Sequence, residues 1–447
     1  MTSHVTKFLV HHIEKHTPAR FGNRPGPPAY SEDDEEVPWP ELLGSNDWKG
    51  LLQPLNLGLR KLVLRCGDFC QATYDAFNND KNSKYCGSSR YGKTSFFQKV
   101  MMENGSDYEV ACFLYGTARV SHKEAIMFHS HSREAWDRES NWIGYVAVTT
   151  DEASVRMGRR EIYVAWRGTT RNYEWINVMG AKLQSIQPLL RPEDEQHQSR
   201  FRHLDDEEDD DDEDEHGKLP KVMRGWVTIY VTRDPKSPFT RMSAREQLSA
   251  KIRELRERYR GEDLSITLCG HSLGASLSVL AGFDLVENGV RDIPVAAFVF
   301  GCPQVGNKAF MERCRRYPNL KFLHVRNTID LIPHYPSKLL GYDDIEEELV
   351  IDTRKSPYLK ESKNPSDWHN LQAMLHVVAG WTGEKGEFDL KVRRSIALVN
   401  KSCEFLKEEC LVPGSWWVEK NKGMVLDDNG EWIIASLAEE DLPVPEF

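Results

Sequence analysis

The chain is expected to fold in the α/β class, around a mostly parallel central sheet with helices on both faces. Two patterns predict this. Apolar runs of strand length alternate with segments of helical periodicity, and one such run, SITLC over Ser265–Cys269, passes through Gly270-His271-Ser272-Leu273-Gly274 directly into an apolar helical stretch. Strand, crossover helix and strand in succession imply parallel pairing, because a parallel pair needs a long connection and a tight hairpin cannot supply it. Strands covered on both faces then read as continuous apolar runs.

The elements follow in order. Ile162–Trp166, IYVAW, is a buried strand that ends at the turn Arg167-Gly168-Thr169-Thr170. Ser243 and Glu246 have the spacing of a capping box, after which Leu248, Ile252, Leu255 and Tyr259 recur at helical spacing until Gly261 stops the helix. Ser265–Cys269 is the next strand, and Leu273, Leu277, Leu280 and Leu285 mark the helix after it. Val295–Phe300 and Lys321–Val325 are two further strands.

The 447 residues suit one large domain over 39–447, interrupted near 190–218 by an acidic loop expected to be disordered. Asp205–Glu215 reads DDEEDDDDEDE, and this run alone equals the formal net charge of −11, so the rest of the chain sums to about zero. Residues 1–38 read as a disordered tail or the remnant of a transit peptide, with Lys7, Lys15, Arg20 and Arg24 set against Glu14 alone before an acidic, Pro-rich stretch. Lys and Arg are dispersed elsewhere, which argues against a nucleic-acid partner. No run approaches the roughly eighteen apolar residues of a membrane span, so any lipid is met from the aqueous side. Nine cysteines without metal-ligand spacing, and no secretory signal, suggest free thiols in a reducing compartment, the cytoplasm or alternatively the chloroplast.

Gly-x-Ser-x-Gly is a weak string alone and a specific one between a strand and a helix. There it describes a nucleophile elbow, in which the glycines permit close packing and the serine hydroxyl projects at the sheet's edge. A serine hydroxyl attacks an ester only with a base and an orienting acid, which follow later in the chain, acid before histidine. Asp330 fits the acid, because VRNTID leaves a strand for a Pro-containing loop; Asp343 and Asp344 lie in a more exposed acidic segment. His369 and His376 compete for the base, and the loop-edge position of His369 favours it over His376, flanked by Leu375 and Val377. The N–H groups of Thr169 and Leu273 are the expected oxyanion donors. Tyr173, Trp175, Ile176 and Val178 form an apolar helical face that reads equally as core or as a lid. This chemistry requires neither metal nor cofactor.

AWRGTT, TLCGHSLGASL, FGCPQVGN and HNLQAMLH together resemble the class 3 lipase family, which has the α/β-hydrolase fold. The longer blocks ELLGSNDWKGLLQPL, QATYDAFNNDKNSKYCGSSRYG and ALVNKSCEFLKEECLVPGSWWVEKNKGMV resemble plant phospholipases A1, especially the class I group related to the jasmonate-forming acylhydrolases. The family often has Arg where Gln304 stands in PQVGN. The resemblance implies release of the sn-1 fatty acid from membrane glycerolipids at the bilayer surface, namely phosphatidylcholine, with galactolipids and acylglycerols as further substrates. It assigns Ser272 as nucleophile, Asp330 as acid and His369 as base. Two alternatives use the same scaffold: a catalytically silent lipase-like protein in plant signalling, and an acyltransferase with the same triad.

Overall fold

Seven strands lie side by side in the order in which the chain makes them: β1 Tyr108–Gly116, β2 Asn141–Thr149, β3 Arg160–Trp166, β4 Leu264–His271, β5 Val295–Phe300, β6 Leu320–Asn327 and β7 Glu348–Ile351. The first three pair antiparallel, and from β3 onward every pairing is parallel. This is a computed structural model, and it describes residues 37–118, 127–169, 181–190, 219–417 and 424–447. Residues 1–36 of the tail expected over 1–38, the acidic run 205–215 and the face carrying Tyr173, Trp175, Ile176 and Val178 lie outside the described residues.

Strand alternation divides the core. In β3, Ile162, Val164 and Trp166 join one hydrophobic cluster, while Tyr163 and Ala165 join the other. The first face is covered by α2 Arg224–Val231, α3 Ala244–Arg258 and α4 Leu273–Glu287, and further along by α5 Lys308–Arg315. The second is covered by α1 Leu57–Asp75 and α6 Leu371–Gly380. In α1 the buried Leu59, Leu62, Val63, Cys66 and Cys70 fall at helical spacing, which directs one stripe to the sheet. A Cβ at Gly67 would lie 2.2 Å from Leu375 Cδ2, so this glycine lets α6 seat closely on α1. The unit so formed runs from Val37 to Phe447.

The central strands and helices match the sequence expectations; β5 coincides with its apolar run, and β3, β4 and β6 extend two or three residues beyond theirs. The capping box opens α3: Ser243 N–H donates to Glu246 Oε2 at 2.7 Å, and Glu246 N–H donates to Ser243 Oγ at 3.3 Å. The chain then turns at Gly261, whose φ of +97° suits glycine. The periodicity reading did not name the antiparallel edge β1–β2 or the long α1. Because β3 to β7 are parallel, their carboxyl ends share one edge, where an open α/β sheet characteristically binds ligands.

Candidate active site

Ser272 stands between β4 and α4 with φ +60° and ψ −127°, a conformation that L-residues rarely adopt. Two glycines make the turn sterically feasible. A Cβ at Gly270 would fall 2.1 Å from Gly274 O, and one at Gly274 would fall 2.2 Å from Trp166 O. The Ser272 N–H donates to Phe300 O at 3.0 Å, tying the turn to the end of β5. Strain of this kind persists only where the surroundings over-determine it, and here strand, helix and neighbouring strand all do so.

Asp330 follows the end of β6 and is fully buried. Its Oδ1 accepts the Ile332 N–H at 3.0 Å, and its Oδ2 lies 2.6 Å from Nδ1 of His369. His369 closes the short helix Pro365–Trp368, one residue before Asn370, which caps α6 by accepting from Ala373 N–H at 3.0 Å. This loop is tied to β6 by Asn327, whose Nδ2 donates to Trp368 O at 2.8 Å. Beneath the pair runs Gly301, φ +52°, the residue after the one that holds the Ser272 N–H. The His369 ring also lies 4.4 Å from that of His271, the residue before Ser272. The structure therefore brings Ser272, Asp330 and His369 together at the carboxyl edge of the sheet.

The competing residues sit elsewhere. His376 is buried inside α6, with Nε2 2.8 Å from Ser356 Oγ and its ring stacked on Phe388 at 4.9 Å. Burial, reinforced by the Arg394 charge, lowers its pKa to about 4 and keeps the ring neutral. Asp344 accepts from Gln304 Nε2 at 2.7 Å and pairs with Lys338 at 2.8 Å, and Asp343 accepts the Asp344 N–H.

Thr169 lies in the turn that leaves the end of β3, and Leu273 opens α4. The contact that makes Gly274 obligatory is with Trp166 O, so the first helical N–H groups, Leu273 among them, abut the turn carrying Thr169. That turn is braced from below. Arg167 is buried and lies 3.7 Å from the centroid of the Phe77 ring. It donates to Trp142 O at 3.1 Å and to Gly168 O at 2.9 Å. Desolvation lowers its pKa to about 10. A Cβ at Gly168 would fall 2.0 Å from Tyr74 Oη and 2.6 Å from His271 O, so the backbone lies flat on both.

Motif reading did not pick out Gly301, Tyr74, His271 or Asn327. Gly301 carried a faint signal as a glycine directly after a strand run; the others act only through partners remote in the chain.

A strained serine at a strand-to-helix turn and a buried carboxylate bonded to an imidazole form an arrangement that can perform acyl transfer through the serine. Residues 163–340 match the family model described as Lipase (class 3). The chain is 63% identical over 410 residues to Phospholipase A1-IIdelta of Arabidopsis thaliana, covering 92% of this chain and 98% of that protein. It is 51% identical over 414 residues to Phospholipase A1-II 5 of Oryza sativa subsp. indica, covering 91% and 85%. Among solved structures it is similar to Lip2 lipase from Yarrowia lipolytica, 18% identical with a TM-score of 0.41, over 67% of this chain and 81% of that one.

Proposed function

The chain belongs to the class 3 lipase family, within the plant phospholipase A1 group, and on that premise we propose that it releases the sn-1 fatty acid from glycerophospholipids at the bilayer surface. Its similarity is to members designated II, so the class I likeness drawn from the sequence blocks gives way to class II. It is a carboxylic ester hydrolase. Phosphatidylcholine is the substrate put forward, with galactolipids and acylglycerols as further ones.

The observation that carries this reading is the 2.6 Å contact between Asp330 and His369 beside the strained Ser272. In the proposed mechanism, Ser272 Oγ attacks the ester carbonyl carbon while its proton passes to Nε2 of His369. Asp330, already on Nδ1, holds the ring's orientation and stabilises the imidazolium that forms. The Thr169 and Leu273 N–H groups receive the oxyanion, in a site where water no longer competes for them. Collapse breaks the bond to the glycerol oxygen, which takes the proton from His369 and leaves as the lysolipid. Water then attacks the acyl-serine by the same route, with His369 again as base, and the fatty acid departs. These roles set the reading apart from a silent scaffold, which would lack one of them.

Surface chemistry supports docking on a bilayer. Leu331 directly follows the buried Asp330 and is 58% exposed, and Leu339, in the short turn Lys338–Leu340, is 97% exposed with Leu340 beside it at 54%. Among the described residues no helix is long and apolar enough to cross a membrane. A cytoplasmic location, with the chloroplast as the alternative, belongs to the same proposal and draws on nine cysteines that form no disulfide.

The test is regiochemical. Purified protein is given phosphatidylcholine with different acyl chains at sn-1 and sn-2, and release of the sn-1 acid first is expected. Release of the sn-2 acid first would contradict the positional claim.

A further inference from the structure

Between the nucleophile turn and the base stands a second histidine that the proposed mechanism does not use. His271 is buried, its ring 4.4 Å from that of His369 and inclined to it by 32°. Its Nδ1 lies 2.8 Å from Tyr74 Oη, a hydroxyl carried from the last turn of α1 across 197 residues of sequence. Burial raises the pKa of that phenol, so it remains protonated and can donate. With the phenol donating, His271 is the tautomer protonated at Nε2. Nε2 is buried, and the backbone of His369 acts on the ring as a hydrogen-bond partner.

A ring placed there only to fill space would be an apolar one. Among the described residues, the ionisable and charged groups around it are Tyr74 from α1, His369 from its loop, and Arg167, which acts on Tyr74 from the turn after β3. Burial first, and the neighbouring His369 second, keep His271 neutral, so it adds no charge to oppose the imidazolium that must form on His369.

We infer that His271, held by the Tyr74 hydroxyl, is a positioning residue for His369: its ring is the wall against which the base is set between Asp330 and Ser272. The inference rests on the proposed acyl-hydrolase reading. Tyr74 then acts through His271, with the hydroxyl choosing the tautomer and His271 placing the base.

The test uses the full chain, a monomeric short-chain p-nitrophenyl ester, and four proteins: wild type, Tyr74→Phe, His271→Asn and the double variant. Tyr74→Phe removes one oxygen and is expected to fold, as melting would verify. It should lower kcat about tenfold with KM within about twofold. His271→Asn should lose about a hundredfold in kcat, and the double variant should be no worse than His271→Asn by more than about twofold, because two residues acting through one effect do not add. A wild-type kcat in Tyr74→Phe would overturn the inference, as would a loss that multiplies in full with that of His271→Asn. A second measurement does not need turnover. In a Ser272→Ala background, the low-field proton resonance of the Asp330–His369 hydrogen bond should shift when Tyr74→Phe is added. An unchanged resonance would overturn the inference even if wild type proved inactive on the ester, an outcome that would count separately against the hydrolase reading.

Discussion

Gly301 leaves the space that His369 occupies: a Cβ built on it would lie 2.8 Å from His369 Cε1 and 2.9 Å from Nδ1, with Asp330 Oδ2 at 3.0 Å. Its φ of +52° also belongs to the left-handed region. Gly301→Ala should therefore displace the Asp330–His369 pair as well as strain the backbone. The expected outcome is a loss of about a hundredfold in kcat/KM, since a shift of about 1 Å at a reacting group has that effect. Stability should fall by about 1–2 kcal/mol, read by denaturant titration. A variant with wild-type kcat/KM would show that the pair does not depend on this glycine.

The two histidines should separate cleanly. His369→Ala should lose about a thousandfold or more in ester hydrolysis with little change in melting temperature. His376→Ala should retain most of its activity per folded molecule yet lose about 1–3 kcal/mol, because its bond to Ser356 and its stacking on Phe388 disappear. Rates and melting curves of both variants decide the matter, and an inactive but folded His376→Ala would reverse the assignment.

His376 also predicts a pH dependence of stability. Its folded pKa of about 4 lies below the ordinary 6.5, so the neutral ring's contribution is fully present above pH 6.5 and is lost as the pH falls toward 4. The whole effect is about 3 kcal/mol. His376→Gln removes this titration, so the stability of the variant should fall less steeply than that of wild type between pH 6.5 and 4. Parallel curves from chemical denaturation across that range would contradict the linkage.

Exposed leucines predict a membrane effect. Replacing the 97% exposed Leu339 by Asp should lower binding to phosphatidylcholine vesicles about tenfold, since an apolar side chain that would leave water on docking becomes a charge that must not. Vesicle sedimentation with the Ser272→Ala protein reads this without turnover. Unchanged binding would place the docking surface elsewhere.

The central architecture was legible because β3 to β5 are buried at every residue and so appear as largely apolar runs, with a turn of obligatory glycines between β4 and α4. The placement of Ser272 could be read from that turn, and the proximity of Asp330 and His369 from chain order and loop position. The antiparallel edge was harder: YEVACFLYG in β1 has no clean alternation, since most of its residues are buried on whichever face they point to, and no tight hairpin joins it to β2. Tyr74 and His271 show a second limit. One lies near the end of a long helix and the other inside the motif, and nothing local to either signals the 2.8 Å contact between them. Gly301 matters through the bulk of His369, 68 residues later in the chain, which a local window cannot register.

The measurement that bears most directly on the central claim is the rate of fatty-acid release from phosphatidylcholine by Ser272→Ala, prepared free of host lipases and matched to wild type by melting temperature. Removing the nucleophile while leaving the oxyanion donors and the binding surface in place should lower the rate by about 10⁴ to 10⁶. A folded Ser272→Ala protein that works within tenfold of wild type would contradict the account.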